Sequence, residues 1–237
     1  MREEANFPIR YCGRISSTQD IAKGLVSSGV KVGTVIVADE QEHGRGRFGR
    51  TWLSPKGGLY ASLILDSSPL LPLHVGIAVA EALRAVGINA MLKWPNDVLV
   101  GEKKIAGILI EIVDERAIVG IGVNLATSPM ETATCVAQET SIEVSRDDLL
   151  ELILHRFTST PPDTILDRYR ALSATIGQAV RVEVGAATAP GPIVGRAVGL
   201  DPTGGLLVAT GDTVYSVTSG ECVHLKVTQE EQQPHGN

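Results

Sequence analysis

The order of apolar and polar residues divides the 237-residue chain into short structural elements. Ser17 begins a pattern typical of a helix N-terminus, and Gly29 ends the amphipathic stretch that follows it. The β-branched run at residues 32–38 predicts a buried strand, and the apolar run at 57–65 predicts a second one. Pro72 then begins an alanine-rich segment that predicts a long helix.

Short strands separated by turns fill the middle of the chain. Strand patterns run from residue 89 to residue 125, with turns at 95–97 and 101–102. Helical patterns at 145–158 and 163–174 follow them. Because hairpins outnumber strand–helix–strand units, this order predicts an α+β fold with a mixed, largely antiparallel sheet.

The pattern changes after Gly177, where short strands recur at close spacing with Gly, Asp and Pro at the turns. About 50 residues of this kind predict a small C-terminal β-barrel. The polar end of the chain has no apolar face to bury. We therefore expect a main domain at residues 1–175, a β-barrel domain at 176–227 and a disordered tail at 228–237.

The composition is that of an ordinary globular protein, with 43% hydrophobic and 20% charged residues. A net charge of −6 argues against a broad nucleic-acid surface, because such affinity comes mainly from lysines and arginines. Cys12, Cys135 and Cys222 are far apart and form no zinc or disulfide pattern. No signal peptide or membrane-length apolar stretch is present in the sequence, so we expect a cytoplasmic protein without membrane contact.

The segment "HGRGRFGR", residues 43–50, has the G-x-G-x-x-G spacing of dinucleotide-binding loops. A helix should follow such a loop, but a proline and two glycines stand there instead, so the dinucleotide interpretation fails. Arg45, Arg47 and Arg50 predict a loop that binds a small anion. The alternative is a solvated turn whose arginines pair with neighbouring acids.

Six segments of the chain, in order, resemble the signatures of biotin protein ligases. They are "SSTQ" at 16–19, Gln41, "GRGRFGRTW" at 44–52, "KWPND" at 93–97, "KIAG" at 104–107 and "GIGVNL" at 120–125. The resemblance covers most of the chain. It implies a class II synthetase-like catalytic domain, in which helices pack on a mixed sheet, followed by a small β-barrel.

Two features depart from the usual pattern of this family. Gln19 stands where the family usually has asparagine, and its extra methylene keeps the amide but moves it. Some members also carry an N-terminal winged helix-turn-helix that represses transcription. The 16 residues before Ser17 are too few for such a domain, so we expect no DNA binding.

The resemblance implies a reaction in two steps. The biotin carboxylate attacks the α-phosphate of ATP to give biotinyl-5'-AMP, and a lysine of a biotin carboxyl carrier domain then takes the biotin. Two anionic reactants need fixed positive charge, and Arg45 and Lys104 are the implied catalytic residues. Mg²⁺ is expected to arrive with ATP, since no metal-binding cluster is visible in the sequence.

The resemblance also implies two sets of binding residues. The biotin set is Ser17, Thr18, Gln19, Gln41, Gly44, Arg45, Gly46, Arg47, Lys104 and Gly107. The ATP and adenylate set is Arg47, Arg50, Trp52, Lys93, Asn96, Asp97 and Asn124. Structural roles stay open for several of them: a bulge at Gly107, a core position for Trp52, and an Asx turn at Asn96 and Asp97.

Two other functions stay open as alternatives. A lipoate or octanoate ligase or transferase shares the superfamily, and a non-catalytic biotin-binding module would share the fold. The arginine–glycine loop and "KWPND" favour biotin, whereas Lys104 together with three loop arginines favours catalysis.

The sequence also predicts the oligomeric state of the protein and the mobility of the arginine–glycine loop. Exposed strands could pair two subunits as a homodimer. We further expect the arginine–glycine loop to be mobile without ligand, because its glycines broaden the ensemble and its arginines repel one another.

Overall fold

The computed structural model describes residues 7–184 and 191–225. Within these ranges the first sheet contains β1 (Ile9–Ile15), β2 (Val35–Gln41), β3 (Leu59–Asp66), β4 (Ala90–Lys93), β5 (Asp97–Val100), β6 (Lys103–Val113) and β7 (Arg116–Val123). The helices are α1 (Thr18–Ser27), α2 (Leu71–Ala85), α3 (Val136–Glu139), α4 (Arg146–Ser159) and α5 (Ile165–Leu172). The second sheet contains β8 (Ala179–Glu183), β9 (Ile193–Leu200), β10 (Leu206–Thr210), β11 (Thr213–Val217) and β12 (Glu221–His224).

The first sheet has the strand order β1-β2-β3-β7-β6-β5-β4. β1 runs parallel to β2, and the other pairs among the described strands are antiparallel. This arrangement confirms the predicted α+β fold with a mixed, largely antiparallel sheet. β1 was not predicted, because it is an edge strand whose residues are mostly exposed and show no clear alternation. The four-residue helix α3 was not predicted either.

The sheet buries both of its faces, and the alternation of side chains along each strand separates them. Val35 and Val37 join the large core formed with α2, α4 and α5. Ile36 points to the opposite face, where it packs with Ala22 of α1. α2 is buried on nearly all sides because it lies in the middle of the large core, which explains its uniformly apolar sequence.

The second sheet has the order β11-β10-β9-β8-β12 and is antiparallel throughout the described residues. It confirms the predicted all-β unit at the C-terminal end of the fold. Trp94 ties it to the first sheet, since its indole N–H donates to the carbonyl of Gly204 at 3.1 Å. The boundary between residues 175 and 176 stays a prediction, and the tail predicted at 228–237 lies outside the described residues.

No helix in the described part of the chain is long and apolar enough to cross a membrane. The helices that were predicted at residues 145–158 and 163–174 are present as α4 and α5, although α5 is shorter than expected. Pro162 explains the difference, because it begins a 3-10 turn at residues 162–164 instead of the helix itself.

The turn between β9 and β10 is organised by the carboxylate of Asp201. One oxygen accepts from the N–H and hydroxyl of Thr203, both at 2.7 Å, and from the N–H of Gly205 at 2.9 Å. The other oxygen accepts from the hydroxyl of Ser216. Chiefly through the Ser216 hydrogen bond, these donors lower the pKa of Asp201 to about 2.

We predict that Asp201→Ala destabilises the protein by about 1–2 kcal/mol, because the donors of this turn lose their acceptor. The contribution should be complete above the ordinary aspartate pKa of about 3.9 and should disappear as the pH falls toward 2. Urea denaturation at pH 7 and pH 3 measures it. Asp212→Ala, in the exposed turn of the next hairpin, is the control and should change stability by less than about 0.5 kcal/mol.

Candidate active site

A cleft lies between the N-terminus of α1, strands β6 and β7, and the glycine loop, which we define as residues 44–52. It brings together nine of the ten residues predicted to bind biotin: Ser17, Thr18, Gln19, Gln41, Arg45, Gly46, Arg47, Lys104 and Gly107. The tenth, Gly44, lies behind the lining. A Cβ on Gly44 would come within 2.3 Å of the Trp52 carbonyl oxygen, so glycine is needed there for the loop to fold back on itself.

One end of the cleft is closed by a chain of hydrogen bonds between polar side chains. The hydroxyl of Ser62 donates to Thr18 Oγ1 at 2.8 Å. The N–H and hydroxyl of Thr18 both donate to Gln41 Oε1, at 2.9 and 3.1 Å. Gln41 Nε2 donates onward to Ser54 Oγ at 2.9 Å. The direction of each bond is therefore set, and the side chains around the closed end cannot rotate independently.

This closed end keeps protons available for a ligand. Ser17 caps α1 by accepting from the N–H of Gln19 at 3.3 Å, which leaves its own hydroxyl proton to donate. Gln41 Nε2 uses one of its two protons on Ser54 and retains the second. Ser17 is only 1% exposed, so a ligand that reaches it is shielded from water. The closed end suits a compact group with a carbonyl acceptor.

The middle of the cleft is an apolar trough formed by two paired strand glycines. Gly107 of β6 lies opposite Gly122 of β7 in the sheet register. The Trp52 indole packs on both, since a Cβ built on Gly122 would lie 2.5 Å from the ring and one built on Gly107 would lie 3.0 Å from it. The buried indole N–H has no hydrogen-bond partner among the described residues. Trp52 thus contacts the cleft instead of the core, and Gly107 makes room for a close approach.

The other end of the cleft holds a cluster of charged and amide groups. Lys104 Nζ lies 2.6 Å from Asp97 Oδ1, and Asn96 Nδ2 donates to the same oxygen at 3.1 Å. Arg47 Nη1 donates to Asn96 Oδ1 at 2.9 Å. Burial lowers the pKa of Arg47, and the nearby charge of Asp97 acts in the opposite direction. Lys104 and Arg47 carry two positive charges beside the single carboxylate of Asp97, so the cluster has an excess of positive charge for an incoming anion.

Backbone contacts on both sides hold Lys104 in place. β5 and β6 slip by one residue next to it, and such bulges redirect side chains beside active sites. On its other side, the Lys104 N–H donates to the Thr132 carbonyl at 3.2 Å, and its carbonyl accepts from Thr134 N at 2.9 Å. The strand position predicted for Lys104 is therefore reinforced by a loop that the sequence did not point to.

Asn124 takes part in that loop and does not line the cleft. Its side chain is buried and donates to the Thr134 carbonyl at 2.9 Å. Its backbone N–H donates to Ile105, and its carbonyl accepts from Val136, both at 3.0 Å. The structure therefore places Asn124 as a support for the segment beside Lys104, whereas the resemblance implies contact with the adenylate.

A second cavity adjoins the first and shares Gly46, Arg47, Asn96 and Lys104 with it. It brings together the remaining predicted nucleotide residues Arg50, Lys93 and Asp97. The second sheet contributes Glu221 and Cys222 to its lining. Burial raises the pKa of the Cys222 thiol to about 11, so this cysteine is uncharged near neutral pH. Two spaces for ligands therefore meet at the Lys104 cluster.

Each arginine of the glycine loop has a partner on a different element. Arg45 pairs with Asp20 of α1, and Glu111 of β6 lies 4.0 Å away. Arg50 pairs with Glu221 of β12 at 2.5 Å. Arg47 Nη1 also donates to the Gly220 carbonyl, at 3.0 Å. The expected repulsion is present between two of these arginines, because the charge of Arg50 helps to lower the pKa of Arg47. Acids and a carbonyl distant in sequence offset it and hold the loop, and the mobility of the ligand-free loop stays a prediction.

Several residues of the site were missed by the sequence analysis. They are Ala61, Ile108, Leu109, Gly120, Ile121 and Gly122, which line the first cavity. A signal was available for the glycines, because Gly120 and Gly122 lie two apart in an otherwise apolar strand. No local signal marked Asp20, Glu111 or Glu221, because their role depends on contacts that only the fold creates.

No group of three or more His, Cys, Asp or Glu side chains that could hold a metal ion occurs in the described residues. The site thus combines the closed polar end of the cleft, the apolar trough, and a cationic centre where the two cavities meet.

Residues 11–127 match the biotin/lipoate A/B protein ligase family, and residues 175–225 match the biotin protein ligase C-terminal domain.

Similar proteins agree with these matches. The bifunctional ligase/repressor BirA of Bacillus subtilis is 32% identical in an alignment 234 positions long, which covers 89% of this chain and 72% of the relative. The biotin–[acetyl-CoA-carboxylase] ligase of Mycobacterium tuberculosis is 30% identical and covers 89% of this chain and 86% of its own length. The Aquifex aeolicus biotin protein ligase, solved with biotin and ATP, superposes with a TM-score of 0.78 at 33% identity, covering 91% and 97% of the two chains. The chain belongs to the biotin/lipoate A/B protein ligase family.

We predict that Gly122→Ala displaces the Trp52 indole, because the new Cβ would lie 2.5 Å from the ring. The two tryptophans of the chain are Trp52 and Trp94, and Trp94 is only 2% exposed, so acrylamide quenching reports mainly on Trp52. The variant should show increased quenching. Gly24→Ala, which meets nothing within 4 Å, is the matched control. Unchanged quenching in Gly122→Ala would contradict the packing described here.

Proposed function

We propose that this chain is an ATP-dependent biotin–protein ligase, which activates biotin as biotinyl-5'-AMP and transfers it to a lysine of a carrier domain. One observation carries the proposal: the polar-ended cleft and the second cavity meet at the cluster of Lys104, Arg47, Asn96 and Asp97. Joining a small carboxylic acid to a nucleotide phosphate needs two adjacent sites that share a cationic centre.

The closed end of the cleft fits the ureido ring of biotin. Ser17 and Gln41 offer protons to its carbonyl oxygen, and Thr18 holds Gln41 in the orientation that does so. Between Trp52 and the paired glycines, the trough matches the apolar part of the molecule. Biotin placed in this way directs its carboxylate toward the charged cluster. The Aquifex aeolicus relative, which is solved with biotin and ATP, supports both substrates.

In the first step a carboxylate oxygen of biotin attacks the α-phosphorus of ATP, and pyrophosphate leaves with the bonding electron pair. Negative charge accumulates on the phosphate oxygens as the new bond forms. Lys104 and Arg47 lie where the two cavities join, so their charges offset this accumulation. Asn96 orients Arg47, and Asp97 holds Lys104, so neither cation has to be ordered at the moment of reaction.

In the second step the uncharged amine of the acceptor lysine attacks the carbonyl carbon of the mixed anhydride. An amide bond forms, AMP leaves with the electron pair of the broken C–O bond, and the attacking nitrogen loses a proton. Asp97, the carboxylate that pairs with Lys104 where the two cavities meet, is suited to accept that proton. The relative from Mycobacterium tuberculosis is named for acetyl-CoA carboxylase, which supports a biotin carboxyl carrier domain as the acceptor.

We assign the remaining predicted residues by their place around the second cavity. Arg50 and Lys93 face the ATP phosphates and ribose, and Trp52 extends from the trough toward the nucleotide. Arg45 lies at the rim of the first cavity and closes the glycine loop onto α1 through Asp20. Asp97 would offer one carboxylate oxygen to the Mg²⁺ that accompanies ATP, and the ion would neutralise part of the phosphate charge.

The proposal includes a cytoplasmic location, where ATP is supplied, and a homodimer. The exposed β1 strand supports the dimer, because an open sheet edge can pair with a second copy. Size-exclusion chromatography with light scattering measures the oligomeric state directly. DNA binding is not part of the proposed function.

A lipoate or octanoate ligase is the alternative within the same superfamily. A dithiolane or alkyl head brings no carbonyl to the closed end and would leave the Ser17 and Gln41 protons without an acceptor. An unsatisfied buried donor costs about 1–3 kcal/mol, so the geometry favours biotin. Thermal stabilisation by biotin, lipoate and octanoate, compared side by side, separates the two. ATP–pyrophosphate exchange that depends on biotin separates an enzyme from a non-catalytic binding module.

We predict that Lys104→Ala lowers biotin-dependent ATP–pyrophosphate exchange by about a hundred- to a thousandfold, the usual effect of removing one positioned transition-state donor. Biotin binding, measured by calorimetry, should change little, because Lys104 lies at the opposite end of the cleft from Ser17. Lys103→Ala, at the exposed neighbouring position, is the matched control and should retain activity. Near-normal exchange in Lys104→Ala would remove this lysine from the mechanism.

We predict that Arg47→Ala both slows adenylation and shortens the lifetime of enzyme-bound biotinyl-5'-AMP. Arg47 lines both cavities and is half-buried, so its loss removes charge on the phosphate and opens a path for water. The measurement is release of radiolabelled adenylate after rapid dilution. Arg14→Ala, which breaks an exposed ion pair with Glu42, is the control. Equal lifetimes of the bound adenylate in the parent protein and in Arg47→Ala would contradict this assignment.

A further inference from the structure

Gln19 lies at the closed end of the cleft and is only 3% exposed, although glutamine is mostly a surface residue. Its burial follows from the helix cap. The Gln19 N–H donates to Ser17 Oγ, which caps the first turn of α1, and this helix packs on the sheet through Ala22. The side chain of Gln19 is thereby directed onto the strands and away from solvent.

The carboxamide of Gln19 lies across three neighbouring strands. Ser62, Gly120 and Leu109 form one row of the sheet on β3, β7 and β6. Gln19 Nε2 donates to the Leu109 carbonyl at 3.3 Å, and Gln19 Oε1 accepts from the Ser62 hydroxyl at 3.4 Å. The two ends of the amide therefore rest on the outer strands of this row, and its middle passes over Gly120.

Gly120 leaves the space that this amide fills. A Cβ built on Gly120 would lie 3.1 Å from Gln19 Nε2 and 3.3 Å from Gln19 Cδ, both tighter than ordinary van der Waals contact. A shorter side chain at position 19 cannot reach both Ser62 and Leu109. Removal of one methylene would therefore leave a gap at the closed end of the cleft.

The hydrogen bonds of Gln19 separate its role from that of Ser17 and Gln41. Each of those two side chains retains a proton that none of its described hydrogen bonds uses, whereas both ends of the Gln19 amide are bonded to protein groups. Gln19 thus behaves as a wall of the pocket. The stronger bond of Ser62, at 2.8 Å, is to Thr18 Oγ1, so the position of Gln19 is also tied to the polar chain that orients Gln41.

We propose that Gln19 is a specificity-determining residue that sets the length of the cleft at its closed end and excludes ureido rings with an added substituent. This inference rests on the proposed function. One methylene more or less in a closed pocket changes discrimination by about 10- to 200-fold. Replacement of Gln19 by the shorter asparagine would therefore lengthen the pocket at its closed end.

The test compares biotin with its two N-methyl derivatives, each methylated on one ureido nitrogen, in ATP–pyrophosphate exchange. Parent protein, Gln19→Asn and Gln19→Ala are assayed for kcat/KM with each compound. The ratio of methylated to unmethylated substrate should rise about 10- to 200-fold in the variants for at least one isomer. Gln138→Asn, an exposed glutamine-to-asparagine change on α3, is the matched control and should leave the ratio unchanged.

A second measurement tests the contact between Gln19 and Gly120. Gly120→Ala alone should push the amide into the cleft and lower kcat/KM for biotin. Gly120→Ala combined with Gln19→Asn should recover most of that loss, since the new methyl group then occupies the vacated space. A general folding defect would not be reversed by a second substitution in the same pocket.

The outcomes separate this proposal from the proposed function. Unchanged selectivity ratios in folded Gln19 variants, with melting temperatures near that of the parent, would overturn the role of Gln19 alone. Equal loss of all three substrates would also overturn it, because Gln19 would then be a required ligand-binding group. No biotin-dependent exchange by the parent protein would overturn the proposed function itself.

Discussion

Fixed carboxylates that neutralise neighbouring cations are the interaction on which the whole site depends. Asp20, Asp97 and Glu221 each pair with one cation of the two cavities, and they come from α1, β5 and β12. Cations gathered in a partly dehydrated cleft repel one another and favour loss of charge unless acids lie close by. Because the three acids belong to separate parts of the fold, the cationic centre is assembled only when α1 and both sheets are docked together.

Three strand glycines on the α1 face of the first sheet determine which side chains can pack on the floor of the cleft. Strand glycines weaken a sheet and usually mark a close approach by another group. Here Gly107 and Gly122 receive the Trp52 indole, and Gly120 receives the Gln19 amide. The same strands that form the floor of the cleft therefore also set its depth, and the helix cap at the N-terminus of α1 supplies its polar end.

The fold could be predicted from the sequence wherever local chemistry decides it. The cap at Ser17, the buried run of β2 and the turns around β5 specify their elements through neighbouring residues, and the structure has them in the predicted places. β1 escaped prediction because an exposed edge strand needs no hydrophobic alternation. The motif residues of the cleft were found, but the partners that hold the arginines were not, since their separation in sequence reaches 173 residues for Arg47 and Gly220.

Pairing before the substrate arrives changes what each cation contributes to the reaction. Lys104 and Asp97 remain partly exposed, and ion pairs of this kind are worth only about 0–1 kcal/mol, so a substrate anion can replace or join the carboxylate at little cost. A ground-state carboxylate gains little, because it replaces an interaction that already exists. The phosphate gains more as its charge increases during attack, and its cations are already in position. Such an arrangement stabilises the transition state more than it stabilises the bound substrate.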